Sequence, residues 1–269
     1  MSRFCFKDKS LELGQKTYVM GILNITPDSF SDGGQNLSLE KAVNTAVFME
    51  AKGVDIIDIG GQSTRPGHTE VSAEEEWSRL EMVLHQILKQ VYTPISVDTF
   101  YPEVAEKALK LGCHIINDVS GTVNPKMAEL VKKHSAGWVV MHNNPIEDNN
   151  FELRLHKELV ALREKAIRLG VKCDNICLDP GVGFGKTPEQ NRLIIKGTEK
   201  IKVHNTAYLL GASRKRVIGE AVGEDIPFNE RDFGTVAAHT VGALGGADII
   251  RVHNIEAGIQ TVKMVDSLR

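Results

Sequence analysis

The chain is poor in cysteine, with four among 269 residues: Cys5, Cys113, Cys173 and Cys177. None forms a C-x-x-C pair, which argues against a structural zinc site. Two of them lie inside apparent strands, where a thiol packs as a small hydrophobe and not as part of a disulfide framework. Excess charge of one sign is missing too. A net charge of -3 gives no global case for a nucleic-acid or anionic-membrane partner, so any anionic ligand must be held by local cations. No stretch approaches the roughly 20 apolar residues of a membrane helix, and the opening MSRFCFKDKS carries no apolar signal-peptide region. The expectation is a cytoplasmic protein. What is present is ordinary for a globular chain, 42% hydrophobic and 25% charged, at a length suited to one domain with a full core.

Against that background one pattern recurs. Eight short β-type runs end in polar or glycine-rich residues: Tyr18–Asn24, Asp55–Gly61, Pro94–Asp98, Cys113–Asp118, Gly137–His142, Asn175–Gly181, Ala207–Lys215 and Ala247–Asn254. Helix-type segments separate them. Ser38 is placed as the cap of a helix running to Gly53; Ser72 with Glu75, and Thr187 with Gln190, read as capping boxes; Pro102 suits a first helical position. Further helices are expected over Phe151–Leu169 and Asp232–Leu244. Strands alternating with helices imply βαβ units and a parallel sheet, and eight of them over this length predict an α/β fold, a single (β/α)8 barrel spanning residues 1–269. Segments leaving the strand ends are long, such as 25–37, 62–71 and 216–231, and the returns are short. Long loops in compact domains are usually functional, which marks the carboxyl ends of the strands as the active face.

Asn24, Thr64, Asp98, Asn117, His142, Asp179, Lys215, Arg251 and His253 are therefore expected to converge. Asp98 and Asp179 with Asn117 suit the amidine-like edge of a polar heterocycle, because a carboxylate accepts two parallel N–H bonds; loop capping or a metal is the alternative. Arg251 and His253, alternate residues on the last strand, share a face and suit phosphate; the alternative for the arginine is a pair with a barrel carboxylate. Lys215, in the run Ser213-Arg214-Lys215-Arg216, is a solvated charge, a phosphate contact or a Schiff-base lysine. GVGFGKT (Gly181–Thr187) imitates a Walker A loop, but its first glycine would have to stand at Pro180, so the spacing fails. None of the nine histidines belongs to an HExxH helix; His239 is expected to pack or cap within its helix.

Seven stretches in strand order, MGILNITPDSFSDGG (Met20–Gly34), DIGGQSTRPG (Asp58–Gly67), SVDT (Ser96–Thr99), INDVSG (Ile116–Gly121), LDPGVGFGKTPEQN (Leu178–Asn191), GASRK (Gly211–Lys215) and RVHN (Arg251–Asn254), together resemble the dihydropteroate synthase family. The resemblance implies a transferase joining 6-hydroxymethyl-7,8-dihydropterin diphosphate to 4-aminobenzoate with release of diphosphate. It implies a pterin held by Asp179, Asp98, Asn117 and Lys215 in a slot lined by Met141, Phe184 and Gly211. Diphosphate would meet Asn24, Thr64, Arg251 and His253, with Mg2+ ligated through Asn24. Aminobenzoate would lie against Thr64, Arg65, Pro66, Phe184, Lys215 and Arg216, and Asp32 would assist the metal or the forming cation. A homodimer is also implied. Three positions depart from the family pattern: Gln62 stands where many members have glutamate, Arg216 where many have serine, and HNNP (His142–Pro145) replaces a different loop. Arg216 either pairs with the aminobenzoate carboxylate or turns outward and leaves that group to backbone donors. Rival readings are a methyltetrahydrofolate-binding domain of corrinoid methyltransferases, a lysine-dependent aldolase and a non-catalytic pterin-binding module.

Overall fold

The computed structural model describes residues 2–25, 35–62, 71–223 and 226–269. The chain opens with an antiparallel hairpin, β1 (Arg3–Phe6) and β2 (Lys9–Glu12), in which Phe4, Phe6 and Leu11 turn to one buried side. The alternation F-C-F is the period-2 signal of a half-buried strand; the expected element order did not include it. Eight parallel strands then close a barrel in the order β10-β3-β4-β5-β6-β7-β8-β9. They are β3 (Tyr18–Asn24), β4 (Ile56–Gly60), β5 (Ile95–Asp98), β6 (Ile115–Asp118), β7 (Gly137–Met141), β8 (Ile176–Asp179), β9 (Ala207–Leu210) and β10 (Ile249–Val252).

Residues at every second position point inward. Tyr18, Met20, Ile56, Ile115, Val139, Cys177, Leu209 and Ile249 form a separate interior cluster, and Phe4 and Phe6 join it. Phe4 lies against Gly137, the first residue of β7, so the hairpin plugs the amino-terminal end of the barrel. Intervening residues such as Ile57, Val97, Ile116, Val140, Leu178 and Ile250 face the helices and build the larger outer core. Filling the bottom with large apolar side chains leaves space for a ligand only at the top, where the inward series becomes polar.

The covering helices are α1 (Gln35–Lys52), α2 (Ala73–Gln90), α3 (Pro102–Leu111), α4 (Pro125–His134), α5 (Phe151–Arg168), α6 (Pro188–Lys196), α7 (Thr198–Ile201), α8 (Arg216–Val222), α9 (Asp232–Leu244) and α10 (Ile255–Ser267). The Thr187 and Gln190 capping box is complete. At α2 only half of the expected box forms: Ser72 Oγ accepts from the Glu75 N–H at 3.2 Å, while the Glu75 carboxylate turns to Arg79 one turn later. Ser38 is no cap, because α1 already begins at Gln35. The segment 216–231, expected as a loop, contains α8. All four cysteines are free thiols, with Cys113 and Cys177 buried.

Candidate active site

The strand register fixes what meets at the mouth. Asn24 pairs with Gly60, Gly60 with Asp98, and Asp98 with Asn117, so residues from four consecutive strands stand in one row at their carboxyl ends. Gly60 separates the first two side chains: the Cβ it lacks would sit 3.6 Å from Asn24 Oδ1 and 3.5 Å from the Asp98 Cβ. Asn24 itself is exposed at the rim.

At the centre lies Arg251. Its Nε donates to Asp58 Oδ2 at 2.7 Å and its Nη2 to Asp98 Oδ2 at 2.9 Å. Asn117 Nδ2 donates to the same Asp58 oxygen at 3.1 Å. The alternative reading of Arg251, a barrel ion pair, therefore describes this arrangement. Asp58 was not among the expected site residues. It lies two places before Gly60 and so faces inward by the same parity, but within I-I-D-I-G it reads as an interruption of an apolar run. Asp58 Oδ1 and Asp98 Oδ1 are buried with no protein partner, an expensive condition unless a ligand donates to them. Burial, reinforced by Asp58 and opposed by Arg251, raises the Asp98 carboxyl above the ordinary range.

Opposite this cluster, Asp179 and Lys215 flank Gly211. The absent Cβ of Gly211 would lie 3.6 Å from Asp179 Oδ2 and 3.9 Å from Lys215 Nζ. Asp179 Oδ1 accepts from the Gly181 N–H at 2.7 Å, which fixes the carboxylate plane and leaves Oδ2 toward the slot. Lys215 Nζ donates to the Val182 carbonyl and sits 4.7 Å from the Phe184 ring centroid. Burial pushes the lysine down to about 8, with Asp179 opposing, and burial likewise raises the Asp179 carboxyl. Met141 is paired with Asp179 in the β7–β8 register and is buried. His253 Nδ1 is 3.0 Å from Ser213 Oγ.

Two expected positions lie elsewhere. His142 follows Met141 by one residue, so it faces outward; its Nε2 meets Glu158 Oε2 on α5 at 2.6 Å. Arg216 is 81% exposed and pairs with Glu220 on its own helix at 2.9 Å, so of its two readings it takes the outward one. Asp32, Thr64, Arg65 and Pro66 lie outside the described residues. His239 does pack within α9, buried and accepting from the Ala212 N–H at 3.3 Å.

The loops above Asp179 are held by groups the sequence reading passed over. Lys186 Nζ donates to the carbonyls of Phe184 at 2.8 Å and of His142 and Asn144 at 3.3 Å each, binding the loop after β7 to the loop after β8. Gly181 makes that approach feasible: its φ is +75°, and a Cβ there would lie 1.9 Å from the His142 carbonyl oxygen.

A profile of the family described as pterin binding enzyme matches residues 20–253. The dihydropteroate synthase of Bacillus subtilis is 44% identical over 97% of this chain and 92% of the relative. Among solved structures, a dihydropteroate synthase from Clostridium difficile in the presence of pteroic acid superposes with a TM-score of 0.89 at 40% identity, covering 96% of this chain and 98% of that one. One from Xanthomonas albilineans with 4-aminobenzoic acid gives 0.89 at 35% identity over 98% and 97%.

The chain belongs to the dihydropteroate synthase family of pterin-binding enzymes.

This is a family of transferases that form a carbon–nitrogen bond in folate synthesis. For a dihydropteroate synthase fold, the inward parity of residues 98, 117, 141, 179, 211, 251 and 253 brings the pterin and diphosphate candidates to one barrel mouth.

Proposed function

We propose that this chain condenses 6-hydroxymethyl-7,8-dihydropterin diphosphate with 4-aminobenzoate, releasing diphosphate and 7,8-dihydropteroate. The observation that carries the reading is the pairing of inward carboxylates with inward cations at one opening: Asp98 bonded to Arg251 through one oxygen and unpartnered at the other, and Asp179 beside Lys215. Asp179 and Asp98 accept from the amino and ring N–H groups of the pterin, Asn117 serves a further ring nitrogen, and Lys215 donates toward its carbonyl side. Met141 and Phe184 supply apolar faces for a flat ring. Arg251 and His253 lie where the diphosphate tail emerges.

Cleavage of the C–O bond leaves positive charge that the electron-rich dihydropterin ring spreads, so the main demand is on charge building up at the departing diphosphate. Fixed cations placed there lower the barrier. An arylamine is neutral near pH 7 and attacks without a strong base, so the site needs no dedicated one. Asn24 fits a magnesium ion: the residue is exposed at the rim and offers an amide oxygen, and magnesium takes few protein oxygens, keeping water and substrate phosphate for the rest. When bound, the ion would offset charge on the diphosphate. With Arg216 held by Glu220, the carboxylate of aminobenzoate falls to backbone donors.

Assembly as a homodimer is part of the proposal. The outer stripe of α9 carries Phe233, Ala237, Val241 and Leu244, all exposed, with Phe233 92% accessible; four apolar residues on a solvent face suit a second copy of the chain. A cytoplasmic setting accords with four free thiols. Among the described residues no helix is long and apolar enough to cross a membrane. The deciding experiment is an assay of dihydropteroate formation from the two substrates with and without Mg2+. Product that depends on both substrates supports the reading, and its absence under all conditions ends it.

A further inference from the structure

Arg214 is the one cation of the run 213–216 that neither enters the pocket nor faces solvent. Its backbone has φ +57°, in the left-handed region that residues with a side chain rarely adopt. Such a turn persists only where its surroundings hold it, and strained positions of this kind gather at functional sites. Here the hold is explicit. Arg214 Nε and Nη2 donate to the two carboxylate oxygens of Asp232 at 2.6 and 2.8 Å, a fork-to-fork pair. Its N–H donates to Thr235 Oγ1 at 2.9 Å, and its carbonyl accepts from Arg231 Nη1 at 3.3 Å.

Asp232 has a second tenant. Asn254 Nδ2, just past β10, donates to Asp232 Oδ2 at 2.9 Å, while its Oδ1 caps α10 at the Ala257 N–H. The flanking residues complete the lacing: Ser213 Oγ accepts from the His253 N–H at 3.2 Å and lies 3.0 Å from its ring Nδ1. Thus the residue before Lys215 and the residue after His253 both end on one carboxylate.

We infer that Asp232 is a positioning residue for the proposed transfer: by gripping Arg214 and Asn254 together, it holds the two turns that deliver Lys215 and His253 to the barrel mouth. The inference rests on the reading of the site given under Proposed function. Asp232 touches neither substrate; it acts through the backbone on either side of two groups that do. Its carboxyl lies below the ordinary range, first because Arg214 donates to it, so the grip is ionised at neutral pH.

The test compares wild type with Asp232→Asn, Asp232→Glu and Arg214→Lys in dihydropteroate formation, with thermal unfolding of each. The expected result for Asp232→Asn is a loss on the order of tenfold or more in kcat/KM for dihydropterin diphosphate, since small misplacements of catalytic groups carry penalties of that size. The melting midpoint should remain near wild type, and Asp232→Glu should recover part of the rate. Arg214→Lys keeps the cation without the planar fork and should show the same kind of loss. Wild-type kinetics in a folded Asp232→Asn overturn the inference. If that variant fails to fold, wild-type kinetics in Arg214→Lys overturn it equally. Wild type that makes no dihydropteroate removes the reaction itself, which separates that failure from this one.

Discussion

Asp58 and Arg251 stand 193 residues apart in the chain and 2.7 Å apart in the barrel, joined from Nε to Oδ2 among the inward side chains of the candidate site. Asp58 is fully buried, and Arg251 has a second carboxylate, Asp98, on Nη2. One guanidinium thus serves two acids. The pair orients the arginine so that its position is set before any ligand arrives.

Asp58→Asn tests that role. Removing one partner of a buried pair leaves its counter-charge poorly compensated and typically costs about 3 kcal/mol or more. Urea unfolding should show a loss of that size, and diphosphate affinity should fall because Arg251 loses its anchor. Stability within about 0.5 kcal/mol of wild type, a span ordinary for surface changes, would mean the pair contributes little.

In the proposed reaction Asp179 takes the pterin and Arg251 the diphosphate. Asp179→Ala should abolish pterin binding and Arg251→Ala should weaken diphosphate binding, each by about 2 to 4 kcal/mol for lost charge-assisted contacts. Titration calorimetry with a dihydropterin and with inorganic diphosphate separates the two effects. Unaltered turnover in either variant contradicts its assignment.

Much of this site is legible in the chain because strand parity is a local property. Once Met20, Val139 or Leu209 is placed inward, counting by two reaches Asn24, Met141 and Gly211 without knowledge of the rest. The same count excludes His142, which was expected at the mouth only because it ends a strand-like run. Asp58 obeys the parity too, yet its meaning depends on a partner contributed by the last strand, and no short-range pattern announces such a pair. Arg216 is a different case, since both of its readings stood open: the i,i+4 partner Glu220 that favours the outward one is visible in sequence, but Gly219 and Gly223 obscured the short helix that brings them together. The hairpin at residues 3–12 is hard to read because each strand has only four residues and neither leads into a long loop of the kind that marks the active face.

Lys186 connects the two loops that close over Asp179. Lys186→Met keeps the apolar stem and removes three donated bonds to carbonyls at His142, Asn144 and Phe184. Local stability of both loops should drop by about 2 kcal/mol, the scale of hydrogen bonds from a charged group. Hydrogen exchange at residues 143–146 and 181–186 should accelerate while the β-barrel amides stay protected. Unchanged exchange in those loops would show that glycine-mediated packing suffices to hold them.

Glu76 offers a test with a definite sign. The side chain is fully buried near the start of α2, its Oε2 accepts from Thr99 Oγ1 at 2.9 Å, and its Oε1 has no partner. Burial, opposed by the Thr99 bond and Arg79, pushes its carboxyl from 4.5 up to about 7. Between those values the folded chain keeps a proton that the unfolded chain has released. Stability therefore falls as pH rises through this window, and the full penalty is present above about 7. Glu76→Gln cannot ionise and keeps an oxygen for Thr99. It should match wild type near pH 4 and exceed it at pH 8 by at most about 3 kcal/mol. Asp98, Asp118 and Asp179 are also raised by burial, so the signal is the difference between the two proteins across pH, measured by urea unfolding. A variant no more stable than wild type at pH 8 would show that water reaches the carboxylate and relieves its burial.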